Sequence, residues 1–213
     1  MELTLSRNQL MSKVFFGLFL SLLSAFVGLG VGRYLPPALI VVAMVAELVM
    51  IVVAMFIQRS RRIGMGFVMA FTFISGLTLY PIISVKISQL GATLVLEAAG
   101  VTAATFLISA LVAARSDFDF SFLAGFLFIG LLALLLTGIV SLFISFSTVA
   151  ELIYCVLGIA IFVGYVLFDV NRMAHHGVAE DQVAWVVLSL YLDIINLFLF
   201  ILRLMGVLQS SRD

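Results

Sequence analysis

Four carboxylates stand inside long apolar runs of this sequence: Glu47, Glu97, Asp169 and Asp193. An acid at the centre of a membrane helix costs about 2.5 to 3.5 kcal/mol, so each needs an enclosed face, a partner or a proton. Two carboxylates that meet in a low-dielectric interior cannot both ionise cheaply and come to share one proton. The charge between their helices then depends on pH, a physical basis for gating. The same pair could serve an aspartyl protease. Oxygen-bearing side chains could also line a path for a hard cation such as calcium. Glu47 and Glu97, with Thr72, Ser75 and Thr78, supply oxygens for that, although a buried, protonated, structural role suits either glutamate equally well.

Asp193 lies near the middle of the last apolar run and is too short to reach the membrane surface. Ser189, Asp193, Asn196, Phe200 and Arg203 follow at spacings of four, three, four and three, so on a helix they share one face. Such a helix should be enclosed by others. The plainer alternative makes Ser189 and Asn196 interhelical glue and Asp193 a hydrogen-bonded staple. Asp169 sits near the end of the preceding run. Counting from the expected helix ends leaves the two aspartates mismatched in height by roughly 9 Å. A hairpin centred on Asp181 would bring them level.

The elements that must position these groups follow from composition. Of 213 residues, 64% are hydrophobic and only 10% charged, against about 25% charged in an average soluble domain. So few polar side chains cannot clothe a soluble protein, and the missing surface must face lipid. A net charge of zero gives no basic footprint for nucleic acid. About 20 helical residues cross a bilayer, and the charge-free runs predict seven spans near 14–33, 38–58, 63–85, 90–114, 120–144, 150–172 and 182–204, with a turn at Ser145 to Thr148. The simplest parse is one integral membrane domain of seven helices. With the N-terminus inside, the inner segments carry Arg7, Lys13, Arg59, Arg61, Arg62, Arg115 and Arg172, and the outer ones Arg33, Lys86, Arg203 and Arg212. That bias predicts N-in, C-out.

Other residues have bland readings. Gly28 and Gly32, in GxxxG spacing, mark close helix packing. Cys155 is a small apolar residue inside a helix, and Pro81 should bend the third span. His175 and His176 fall in a loop, solvated rather than holding a metal.

Several segments carry a resemblance: the Glu47 span followed by arginines, FTFISGLTLYPI at 71–82, VLEAAG at 95–100, LFDVNRM at 167–173 and LSLYLDIINLFLFILRLMG at 188–206. Along nearly its whole length the chain resembles the transmembrane Bax inhibitor motif family, particularly its short bacterial members. That resemblance implies six helices around a central C-terminal helix, a bacterial cytoplasmic membrane setting and a pH-dependent calcium leak. It also implies that Asp169 and Asp193 are the family's paired aspartates, sensing pH and able to bind calcium. An arginine latch at the end of the second helix falls, without gaps, on Gln58, which leaves its neighbour Arg59 as the candidate.

The expected activity is therefore a pH-regulated calcium leak, with Asp169 and Asp193 as sensor, Glu47 and Glu97 as cation path, and Ser189 and Asn196 as supporting polar stripe. Its partners are the lipid bilayer, calcium ions and protons. No cofactor is expected, and no enzyme: neither aspartate carries the GxGD or Tyr-Asp pattern of an intramembrane protease. The last helix has no lysine for a retinal Schiff base. A non-conducting modulator of stress or cell death, acting through helix partners, is the alternative.

Overall fold

The computed structural model describes residues 7–60 and 63–210, with side chains over 9–56 and 63–210. Among these residues seven helices are long and apolar enough to cross a membrane, and the protein is an integral, multi-pass, all-helical membrane protein. They are α1 (Arg7–Gly32), α2 (Pro37–Ser60), α3 (Met65–Leu90), α4 (Ala92–Arg115), α5 (Leu123–Val140), α6 (Thr148–His176) and α7 (Val183–Ser210).

Helix ends follow local chemistry. Pro37 opens α2, where the missing N–H costs nothing and the fixed φ suits a first turn. Gly91 alone separates α3 from α4 at φ +86°, and Gly177 follows the last residue of α6 at φ +74°, backbone values that a side chain disfavours. Most boundaries expected from charge-free runs lie inside the real helices. The structure corrects three of them. The fifth helix ends at Val140, with hydrogen-bonded turns through Ile144. The sixth runs on to include His175 and His176, placed above in a loop. The seventh extends to Ser210. Charge-free runs measure the hydrocarbon crossing, whereas a helix continues into the polar boundary wherever its hydrogen bonds allow.

The chain forms two compact units, residues 1–86 with 177–191 and residues 87–176 with 192–213. In the first, α1 and α3 approach until backbone meets backbone. A Cβ on Gly28 would overlap the Phe73 carbonyl, and one on Gly76 the Ala25 carbonyl. Ser24 seals the same seam by donating to the Met69 carbonyl at 2.9 Å. This is the close helix approach that small residues permit where lipid supplies no hydrophobic drive. Lys13 on α1 pairs with Glu180 just ahead of α7 at 2.6 Å.

In the second unit α4 and α5 pack on α6. Gly130 accommodates Ile161, and Gly164 accommodates Leu127. Phe200 of α7 lies over Gly158 and stacks obliquely on Tyr154 and Phe162, with centroids 5.2 and 5.8 Å away. Arg203 Nε donates to Glu151 Oε1 at 3.0 Å while its guanidinium lies 5.0 Å above the Tyr154 ring. Tyr154 in turn donates to the Leu134 carbonyl at 3.2 Å. Each polar end thus finds a partner inside the protein, as a lipid setting demands.

Candidate functional site: two carboxylate constellations

Glu47 is the eleventh residue of α2, close to mid-span and half-buried. Thr78 Oγ1 on α3 stands 2.6 Å from Glu47 Oε2 and 2.9 Å from the Ser75 carbonyl one turn back. This arrangement tolerates either state of the acid. An ionised Glu47 accepts the Thr78 proton; a protonated one donates to Thr78, whose own proton turns to Ser75. Tyr191, in the part of α7 that belongs to this unit, is fully buried with Phe71 edge-on at 6.3 Å. Its hydroxyl has no hydrogen-bond partner among the described residues, and Ser75 and Glu47 are the polar groups acting on it. Nothing in the apolar pattern of α7 by itself marks Tyr191. Its position in SLYLD, two residues before the buried acid, was the available signal.

The second constellation holds Asp169 and Asp193. Asp193 is the eleventh residue of α7, 5% exposed, and its Oδ2 has no hydrogen-bond partner among the described residues. The charge that acts on it is the half-buried Asp169 of α6. The height mismatch shrinks for two reasons. The sixth helix continues seven residues past Asp169, and a 3-10 turn, Glu180–Gln182, delays α7 until Val183. Counting residues from the two helix ends at about 1.5 Å each now leaves a mismatch of roughly 4.5 Å, within reach of modest tilt. Tyr165, one turn before Asp169, feels both charges; its i−4 spacing from Asp169 was legible but went unread.

Of the remaining candidates, Ser189 and Asn196 stand half-buried on α7. Asn196 donates to the Leu192 carbonyl at 2.7 Å, a bond within its own helix rather than to a neighbour. Glu97, expected at mid-span, is the sixth residue of α4 and exposed. It shares a cavity with Gln209 near the end of α7, sixteen residues and about 24 Å along the axis from Asp193. It does not join the aspartates. Arg59 belongs to α2, but its side chain lies outside the described residues, as do Arg61 and Arg62. Among the described residues, no three His, Cys, Asp or Glu side chains cluster as metal ligands do.

Asn171 was also missed, though it lies in the LFDVNRM segment. It is 1% exposed; Nδ2 donates to the carbonyls of Ala113 (3.2 Å) and Phe118 (3.0 Å), and Oδ1 accepts from Phe120 N–H at 3.0 Å. One side chain thereby ties the α4–α5 connection to α6, two residues beyond Asp169. Asn171→Leu would strand three polar groups and should cost about 2 to 4 kcal/mol. A clear fall in the melting temperature of the detergent-solubilised protein would register it, with Asn171→Asp, which keeps only the acceptor, also below wild type.

Beside that clamp, Asp119 caps the 3-10 turn Phe120–Phe122 by accepting from Ser121 N–H at 2.8 Å. Hydrogen bonds from Ser121, helped by nearby His176 and His175, hold this solvent-facing carboxyl below its usual 3.8. A lowered native value means the cap is intact above the unfolded pKa and is lost as pH falls through the native one. Amide exchange at Ser121, corrected for its intrinsic pH dependence, should therefore accelerate below about pH 4. In Asp119→Asn that acid-dependent step should vanish.

A family model described as Inhibitor of apoptosis-promoting Bax1 matches residues 7–211. The chain belongs to the Bax inhibitor family. It is 34% identical to Bax inhibitor 1 of Schizosaccharomyces pombe over 68% of this chain, and the match spans 53% of that protein, about half its length. Protein lifeguard 4 of Mus musculus is 31% identical over 82% of this chain and 71% of its own. An uncharacterized membrane protein of Vibrio cholerae is 27% identical over 99% of this chain and 95% of its own. The Bax inhibitor family expected from the segments at 167–173 and 188–206 is thus the family to which the chain belongs.

Proposed function

We propose that this protein is a pH-regulated calcium leak channel, gated by a proton shared between Asp169 and Asp193. One observation carries the reading: a carboxylate at mid-helix, 5% exposed, with an unpartnered oxygen and a second carboxylate as its acting charge. A buried acid with one oxygen unpartnered and a second carboxylate beside it favours uptake of a proton or a cation. Bound to the pair, a proton leaves one negative charge between α6 and α7; its loss leaves two, which repel or attract a divalent ion. Calcium and protons then compete for the same oxygens. Since calcium takes six to eight oxygens, two carboxylates would be completed by water. Glu47, half-buried at mid-span in the first unit, and Glu97, exposed near the start of α4 in the second, remain the candidate cation-path residues. Arg59 remains the candidate latch.

Polarity is part of the same proposal, with N-terminus inside and C-terminus outside a bacterial cytoplasmic membrane. Calcium flux into proteoliposomes across the neutral-to-acid range tests the activity. Equal flux and equal pH dependence in wild type, Asp193→Asn and Asp169→Asn would refute it. A second reading, a non-conducting modulator of cell death, draws on the name of a Vaccinia virus relative, Golgi anti-apoptotic protein, 30% identical over 80% of this chain. It predicts a survival effect that Asp193→Asn leaves intact.

A further inference from the structure

The cavity at Glu97 lies within the second unit, where the end of α3, the first turns of α4 and the last turns of α7 converge, and it measures about 510 Å³. That is within the range of about 300 to 1,000 Å³ typical of small-molecule sites. Leu94, Met205 and Leu208 give it apolar walls, and its polar groups are Thr93, Glu97 and Gln209. Gln209 Oε1 is buried without a hydrogen-bond partner among the described residues. Glu97 makes no ion pair among them either.

The cavity therefore offers a carboxylate, an amide oxygen and a hydroxyl oxygen, and its basic residues are none among the lining set. What is missing is a single positive charge carrying several N–H donors. A bare divalent ion fits poorly, because one carboxylate and two neutral oxygens fall short of the six to eight oxygens it wants. A primary ammonium has three donors on one centre, enough for Glu97, Gln209 Oε1 and Thr93 together. The surroundings say where it comes from. Leu208 in its wall, and Leu96 and Val101, one residue before and four after Glu97 on α4, are exposed and apolar, a surface that lipid covers in a membrane protein. The site also stands at the end of α3, the start of α4 and the end of α7, where helices that cross a bilayer meet its headgroups.

We propose that this cavity binds the ammonium of an amine-bearing phospholipid headgroup, with Glu97 as its counter-ion and Gln209 Oε1 as its second acceptor. The proposal does not require that the protein conduct ions. Choline lipids carry the same charge without N–H donors, so the site should discriminate between two headgroups that differ only in methylation.

Native mass spectrometry of the full-length protein provides the test, with equimolar phosphatidylethanolamine and phosphatidylcholine of matched chains. Wild type should retain the ethanolamine lipid about tenfold over the choline lipid, as one charge-assisted hydrogen-bond set allows. Glu97→Gln and Gln209→Leu should each bring that ratio towards unity while the melting temperature holds. Free ethanolamine and calcium are the competing arms. Free ethanolamine should displace the lipid only weakly, since it lacks the chains that the apolar walls and bilayer hold. Equal retention of both lipids by wild type, a ratio unmoved by Glu97→Gln, or efficient displacement by calcium would each overturn the proposal. If a variant unfolds, ethanolamine-over-choline selectivity in wild type still decides.

Discussion

Asp193→Asn is expected to flatten the pH dependence of calcium flux. If one shared proton sets the charge between α6 and α7, wild-type flux should change about tenfold across the titration of that proton. In Asp193→Asn one member can no longer ionise, and the change should fall below about twofold. Asp169→Asn should do the same, because a proton shared by two groups is lost as an identity when either is removed. The double variant should then resemble each single one rather than their product, the non-additivity expected of residues that act as a unit. Stopped-flow fluorescence from a calcium dye trapped in proteoliposomes reads all four proteins. Asparagine is chosen because it approximates the neutral acid in size and polarity, so Asp193 is replaced without leaving a cavity or an ion. A multiplicative double variant would show that the two carboxylates titrate independently and would remove the shared proton from the mechanism.

The second large effect is structural. Gly28→Leu should abolish stable folding of the first unit or lower its stability by about 3 kcal/mol or more, at or beyond the upper end of ordinary overpacking. The reason is that the added atoms meet the backbone of Phe73 and not a side chain able to swing aside. Gly76→Leu meets the backbone at Ala25 from the opposite helix and should behave alike, and even alanine should be harmful at either position. Gly30, two residues along α1, faces open space, so Gly30→Ala should be neutral or slightly stabilising by helix propensity. Fluorescence-detected size exclusion after a heating series compares the variants directly. Comparable melting of Gly28→Ala and Gly30→Ala would show that the α1–α3 seam is looser than its geometry.

Much of this protein is determined by composition and order alone. A chain with 10% charge must place its surface in lipid, and the positions of its few charges, with the length of the uncharged stretch 120–150, divide it into seven crossings, because lipid tolerates neither an unpaired charge nor an unbonded backbone. The helix breaks at Pro36-Pro37, Gly91 and Gly177 are local chemistry and readable as such. So was the suspicion attached to Asp169 and Asp193, since a short acid in an apolar run must be accounted for wherever the run ends up.

Pairings between helices are another matter. They depend on where helices stop and how they are rotated, and a charge-free run records neither. Whether Asp169 and Asp193 come level turned on four residues added to α6 and a 3-10 turn ahead of α7. Glu47 and Glu97 look alike in sequence, each an acid among small apolar neighbours. One meets Thr78 near mid-span, while the other stands exposed in the second turn of its helix. Arg203 found Glu151, an acid that sequence distance hides behind 52 residues. Tyr191 and Asn171 passed as ordinary residues of apolar helices until burial revealed one hydroxyl without a partner and one amide with three. In a membrane the presence of a polar group is written in the sequence, but its partner is a property of three-dimensional proximity, and only the folded chain supplies that.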